Sequence, residues 1–272
     1  MTSGKPNTVL VATLIALCIV TTAFWLKTRN TAPLAVEQTT PTLSGAEHVR
    51  DILPTDHILG NPTAPLVFII YSDFACPYCK EYHATMRQVI KTYGKDGQVA
   101  LVYRHMPIAK LHPESATYAL ASECVAQQAG NTAFWNFSEM LYATVTPEHT
   151  IDSRALTALA VSAGASGADF SLCMRTSNLM ANVEKDFDEA LDAGATETPF
   201  TVMITPYQHV VLGGAQPFPV MGGVVTTVLR NLGDLAKTKN ATVKMPNLFD
   251  DTGVGVPLTA TGTTSTTTDT IE

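Results

Sequence analysis

Leu66-Val67-Phe68-Ile69-Ile70-Tyr71-Ser72-Asp73-Phe74-Ala75-Cys76-Pro77-Tyr78-Cys79 decides how the rest of the chain is read. The unbroken apolar, β-prone run from Leu66 to Tyr71 is expected of a strand buried on both faces of a sheet. Tyr78 to Tyr93 has helical composition, so the Cys-x-x-Cys pair falls where a strand gives way to a helix. A thiol at that point meets unpaired backbone N–H groups and the positive end of the helix dipole, both of which stabilise a thiolate. The second thiol lies one turn on and can close a disulfide with the first. Two alternatives compete with redox chemistry: half of a zinc site, or a pair of inert buried thiols. A structural zinc site needs a second Cys or His pair at similar spacing, whereas Cys18, Cys124 and Cys173 occur singly.

Outward from this stretch, Val99 to Tyr103 is a second buried strand, and strand, helix and strand in that order favour a parallel βαβ unit. Helical composition then dominates Pro113 to Ala129, Ala133 to Ala143, Ser153 to Ala163, Ala168 to Thr176 and Leu179 to Ala193, with Gly130, Pro147 and Gly164 as breaks. Strands return at Phe200 to Thr205 and His209 to Leu212, joined in hairpin fashion by Pro206-Tyr207-Gln208, and a last helix spans Pro217 to Leu232. Two βαβ-like halves flanking a helical block are therefore expected. Gly222-Gly223 is expected to break or shorten the last helix. The Phe134, Trp135 and Phe137 cluster reads as core of the helical block, with a peptide-binding surface as the alternative. His83, His105 and His112 share no predicted helix face and read as local hydrogen-bonding residues.

A hydrophobic content of 46% provides for a sizeable core, and a net charge of −7 without a basic cluster argues against nucleic acid as a partner. After a short segment 1–7, residues 8–26 (Thr8 to Leu26) are uncharged and apolar, and as a helix would be roughly 28 Å long, close to the thickness of a bilayer's hydrocarbon. This run reads as a transmembrane anchor in preference to a cleaved signal peptide, because no small-x-small site closes it. Residues 27–54 read as a flexible tether rich in Thr, Pro and Ala. A domain over 55–235 follows, with the helical insertion at about 109–194. Residues 236–272 end in a Thr-rich tail too polar and repetitive to build a core.

Cys124 and Cys173 are candidates for a structural disulfide in an oxidising compartment, with two buried free thiols as the alternative. Pro199 begins a β-rich segment, where proline is tolerated. Were its peptide bond cis, the Thr198 backbone could face the cysteine pair and hydrogen-bond an extended substrate; a trans proline at a strand start is the simpler alternative.

Asp73-Phe74-Ala75-Cys76-Pro77-Tyr78-Cys79, the helical insertion and Thr198-Pro199-Phe200 together resemble a DsbA-like thioredoxin-fold protein over roughly Ile58 to Leu232. Leu59-Gly60-Asn61-Pro62 and Gly214-Ala215-Gln216-Pro217 resemble the membrane-anchored bacterial branch. The fold class this implies is α/β, a thioredoxin fold with an inserted helical domain, here behind one N-terminal transmembrane helix. The resemblance also implies a cis Pro199, Cys76 as an exposed nucleophile, Cys79 as the resolving thiol, and Pro77 and Tyr78 as residues that tune them. Members with His at the Tyr78 position have a further thiolate-stabilising group that is absent here, which points to a milder oxidant. Asp73 could aid proton transfer or serve the turn.

The implied function is extracytoplasmic disulfide donation to exported cysteine-containing proteins, from a single-pass cell-membrane location. A DsbB-like or vitamin K epoxide reductase-like membrane partner would reoxidise the pair. No cofactor and no metal ligand set is expected. A disulfide reductase or isomerase is the alternative within the same chemistry, and a metal-binding or substrate-holding module without turnover is the alternative from another class.

Overall fold

The computed structural model describes residues 45–146 and 150–237. A five-stranded mixed sheet runs in the order β1-β3-β2-β4-β5, with β1 His57–Gly60, β2 Leu66–Ser72, β3 Val99–His105, β4 Phe200–Ile204 and β5 His209–Gly213. β2 pairs in parallel with β3 through the crossover helix α1, Pro77–Tyr93, and antiparallel with β4 on its other side. Every residue of β2 is buried, as its apolar run requires for a strand paired on both edges and covered on both faces. Side chains alternate between two cores. Leu66, Phe68 and Ile70 join Val99, Leu101 and Tyr103 on one face, while Val67, Ile69 and Tyr71 join Ala100, Val102 and Val202 on the other.

The first face is covered by α1 and by the final helix α6, Phe218–Lys237, which bring in Met86, Val89, Met221, Val225 and Val228. Between β3 and β4 lies the helical insertion: α2 Ser115–Thr144, α3 Ser153–Ser162, α4 Gly167–Thr176 and α5 Met180–Asp192. Gly130 takes φ 80° inside α2, so the break expected there is a kink within one helical run. The side chains of Asp152 and Ser166 cap α3 and α4 by accepting from Ala155 and Asp169 backbone N–H groups. α5 closes the second face of the sheet, with Phe187 and Ala190 in that core. Cys124 of α2 and Cys173 of α4 form a disulfide across a sequence separation of 49. Closing a loop of that size stabilises by about 4 kcal/mol in the chain-entropy model. Phe134, Trp135 and Phe137 are buried core residues, which leaves them no part in a peptide-binding surface.

Several expectations need correction. The second half is not βαβ-like: β4 and β5 form an antiparallel hairpin followed by α6, because a short turn joins the strands and leaves no crossover. β1, His57–Gly60, was not foreseen, being a four-residue edge strand with no alternation to mark it. The expected tether extends too far. Ala46 and Val49 are buried and Arg50 is engaged in ion pairs, so residues 45–54 pack on the domain. α6 runs past the expected end of the domain to Lys237, through Gly222-Gly223 without a break. At Gly222 a Cβ would lie 3.0 Å from the Tyr93 hydroxyl of α1, so the absent side chain lets the two helices approach closely there. The segment 1–7, the anchor at 8–26, residues 27–44 of the tether, Cys18 and the tail beyond Lys237 lie outside the described residues. Among the described residues, no helix is long and apolar enough to cross a membrane.

A buried ion network ties the N-terminal segment to the second face. Arg104 of β3 is fully buried and bonds Asp56 at 3.0 Å and Glu189 of α5 at 2.6 Å, while Tyr71 also donates to Glu189. Arg50 bonds Asp56, Asp186 and Glu189 at 3.0, 2.7 and 2.7 Å. Burial works to raise the Asp56 carboxyl pKa, but the hydrogen bonds and charge of Arg104 prevail and hold it below the ordinary carboxylate value. Replacing one partner strands the others in a low-dielectric interior. Arg104→Met is expected to lower the unfolding free energy by about 3–5 kcal/mol in urea denaturation. Adding Asp56→Asn and Glu189→Gln is expected to recover much of that loss.

Candidate active site

Cys76 is the N-cap residue of α1, with extended backbone, and Pro77 occupies the first helical position, where its missing N–H costs no bond. Tyr78 points to solvent at 63% exposure. Cys76 itself is not the exposed nucleophile expected: it is 5% exposed, because the antiparallel register sets the start of β4 beside the end of β2 and lays Thr198 over its sulfur. The Thr198-Pro199 peptide bond is cis, and the Cys76 thiol donates to the Thr198 carbonyl oxygen at 3.6 Å. Residues 122 positions apart thus meet at one end of the central strand pair.

The two thiols are free and electrostatically opposed. A hydrogen bond from the Cys79 thiol is the largest influence on Cys76. Burial opposes it, while the Cys79 backbone amide, the Thr198 side chain and the Tyr78 amide add to it, and the Cys76 pKa falls from 9.0 to about 6. Burial drives Cys79 the other way, well above the ordinary thiol value, and its proximity to Cys76 adds to the rise. At neutral pH the reduced pair therefore holds one proton, on Cys79. The Asp73 backbone N–H, 3.5 Å from the Cys79 sulfur, is placed to stabilise negative charge there.

Of the two roles open to Asp73, the geometry shows the one in the turn. Its carboxylate accepts from Ala75 N–H at 2.8 Å and Ile108 N–H at 2.9 Å, and pairs with His112 Nδ1 at 2.9 Å. Those bonds fix the turn before Cys76 and anchor the loop after β3. His83 lies instead beside a small cavity shared with Cys79, Ser72, Tyr82, Tyr103 and Trp135, with room for about one water molecule. Burial, aided by the charge of Arg87, depresses the His83 pKa to about 4, so its ring is neutral at physiological pH. His83 Nε2 and Trp135 Nε1 are both buried without a protein hydrogen-bond partner. Tyr142 hydrogen-bonds the Ser72 hydroxyl at 2.9 Å, and Tyr103 donates to the Ser72 carbonyl at 3.3 Å. Burial pushes both phenols well above their ordinary value, so they remain protonated.

The structure brings Asp73, Cys76, Pro77, Tyr78, Cys79, Thr198 and Pro199 to one end of the sheet, whereas Cys124 and Cys173 join two helices of the insertion. Sequence reasoning missed His83 as a neighbour of the buried thiol. Its spacing of four from Cys79 on one helix was the available signal, since such residues share a face. It also named no metal ligands, yet His57, His105 and Glu123 come together away from the cysteines.

Comparison with known proteins agrees with this geometry. The chain spans only 25% of a curated relative, the Na(+)/H(+) antiporter NhaA 1 of Mycolicibacterium gilvum, to which it is 32% identical over 161 residues, 57% of its own length. Among solved structures, DsbA2 of Pseudomonas aeruginosa is 25% identical with a TM-score of 0.53, the match covering 70% of this chain and 100% of that one. The alpha-DsbA1 protein of Wolbachia pipientis is 20% identical with a TM-score of 0.60, covering 71% and 100%. These structures share the DsbA-like arrangement of thioredoxin fold and helical insertion. The family model described as Thioredoxin matches residues 53–210, more than half of the chain and all but the last elements of the sheet and its final helix, and the chain belongs to that family.

Proposed function

We propose that the protein is an extracytoplasmic thiol:disulfide oxidoreductase that donates the Cys76–Cys79 disulfide to exported cysteine-containing proteins. The observation that carries this reading is the opposed pair of thiols, one lowered to about 6 and the other raised. In the oxidised enzyme a client thiolate attacks the Cys76 sulfur, the Cys76–Cys79 bond breaks, and Cys79 leaves and takes up a proton. A second client thiolate then attacks the client sulfur of the mixed disulfide. The client disulfide forms and Cys76 departs as a thiolate, which its low pKa makes a good leaving group. Two electrons end on the enzyme pair. The Thr198-Pro199 main chain beside Cys76 supplies an edge for an extended client segment.

The pair must then be reoxidised, and the family resemblance supports a DsbB-like or vitamin K epoxide reductase-like membrane partner. A cell-membrane anchor at Thr8 to Leu26 with the catalytic domain outside rests on the apolar sequence there. The Cys124–Cys173 disulfide supports an oxidising compartment. Ion transport is not part of this proposal, because the antiporter name belongs to a protein of which the chain spans a quarter.

A Cys76 pKa of about 6 falls between the values of about 7 in thioredoxin and about 3.5 in DsbA. The Cys76–Cys79 potential, measured by equilibration of the full-length protein with glutathione buffers, is therefore expected between about −270 and −120 mV. A potential at or below the thioredoxin value would overturn disulfide donation in favour of a reductase. Thiolate absorbance of the reduced protein is expected to titrate near pH 6, and Cys79→Ala to move that midpoint upward by removing the main hydrogen-bond donor. Because folding lowers this pKa, the reduced form is expected to gain stability from Cys76 as pH rises from about 6 towards 9, and to lose it as pH falls back through 6. An alkaline phosphatase fusion after Glu272 is expected to be active; a silent fusion that is made in full length would place the domain in the cytoplasm.

A further inference from the structure

We propose that His57, His105 and Glu123 form a binding site for a divalent cation of the zinc class, separate from the cysteine pair. The fold assembles it from three elements. His57 of β1 pairs opposite Tyr103 of β3, and His105 lies two residues beyond Tyr103, so both imidazoles project from the same face of the sheet. Glu123 reaches them from α2. The ligating atoms all lie within 4.8 Å of one another. The same carboxylate oxygen, Oε1, stands 2.5 Å from His57 Nε2 and 3.1 Å from His105 Nε2. Asn182 donates to the other oxygen at 3.3 Å and so turns Oε1 towards the rings, while Phe134 stacks on His57 with centroids 3.5 Å apart.

Charge gives this cluster its affinity for a cation. Glu123 is buried, and its ion-pair partners among the described residues are the two imidazoles that its Oε1 faces. A carboxylate held in the interior is completed by a cation. Arg50 and Arg104 are committed to Asp56, Asp186 and Glu189 on the opposite face of the sheet. Among the described residues, the groups that hydrogen-bond Glu123 are the two imidazoles and Asn182. A divalent cation seated between Oε1 and the two Nε2 atoms supplies that charge.

Two imidazole nitrogens and one carboxylate oxygen suit zinc and its neighbours, whereas calcium and magnesium take oxygen-rich sets. Three protein ligands leave a fourth position for solvent. His57 and Glu123 keep side-chain exposures of 12% and 10%. In the metal-free geometry each Nε2 carries the proton it donates to Oε1. Ligation at Nε2 therefore moves that proton to Nδ1, or releases it if the ring was charged. His105 Nδ1 is buried without a partner to receive it, so the site lacks the outer hydrogen bond that strengthens tight zinc centres and is an exchangeable one.

The test uses the full-length protein carrying Cys18→Ala with Cys76 and Cys79 oxidised, so that free thiols cannot bind metal, stripped with chelator and titrated with zinc. One zinc per chain is expected, with affinity reduced by more than the about 10–100-fold cost of losing an outer-sphere partner in His57→Gln and Glu123→Gln. No stoichiometric zinc in the wild type, or unchanged affinity in variants that retain native circular dichroism, overturns the site. Cobalt binding to the wild type decides the matter even if the variants fail to fold. Visible bands without sulfur-to-cobalt charge transfer are expected; absent bands, or bands with sulfur character, overturn it. Neither readout depends on disulfide exchange, so the fate of the redox proposal is independent of this result.

Discussion

The double pairing of β2 is the constraint from which the rest of the structure follows. Its parallel partner β3 and antiparallel partner β4 fix both edges, and its complete burial forbids a register slip, which would turn every side chain into the wrong core. Because β2 ends at Ser72, the turn that follows must release α1 at that end of the sheet, with Cys76 as its cap. Because β4 begins at Phe200, opposite Tyr71, the two residues before it arrive beside that cap. The reactive pair and its lid are thus consequences of strand register. The insertion of α2 to α5 between β3 and β4 disturbs neither, since it leaves from one sheet strand and returns to another.

The opposed thiols show how little charge such a site needs. No Lys, Arg or His side chain is among the causes that lower Cys76; the donors are the neighbouring thiol, two backbone amides and Thr198. The formal charges are spent elsewhere, on the opposite face, where Arg50 and Arg104 hold three carboxylates. Removing a cationic residue from the Tyr78 position leaves a thiolate supported by dipoles alone, which is milder support than a full positive charge would give.

The central part of the fold was legible because its signals are local. An unbroken apolar run, a Cys-x-x-Cys before a helical stretch and a proline ahead of a β-rich segment each state their own role. β1 was not legible, because four residues at a sheet edge carry too little pattern, whereas the β4–β5 hairpin was legible from the three-residue turn between its strands. Arg50 was hidden within a Thr- and Pro-rich stretch, since its partners Asp186 and Glu189 lie more than a hundred residues away. The burial of Cys76 and the gathering of His57, His105 and Glu123 depend on tertiary placement in the same way. Asp73 and its part in the turn were visible by position, but the amide of Ile108 and the ring of His112 that it also binds arrive only with the fold.

The disulfide between α2 and α4 gives the protein a history. Cys124 and Cys173 emerge from synthesis as thiols and end as cystine, so each chain is itself a substrate of disulfide formation. A chain making its own bond with its own reactive pair would emerge reduced and idle until recharged. Under the proposed role in disulfide donation, a new population depends on earlier copies or on another oxidant for its first turnover, and the capacity for oxidation passes from one generation of molecules to the next.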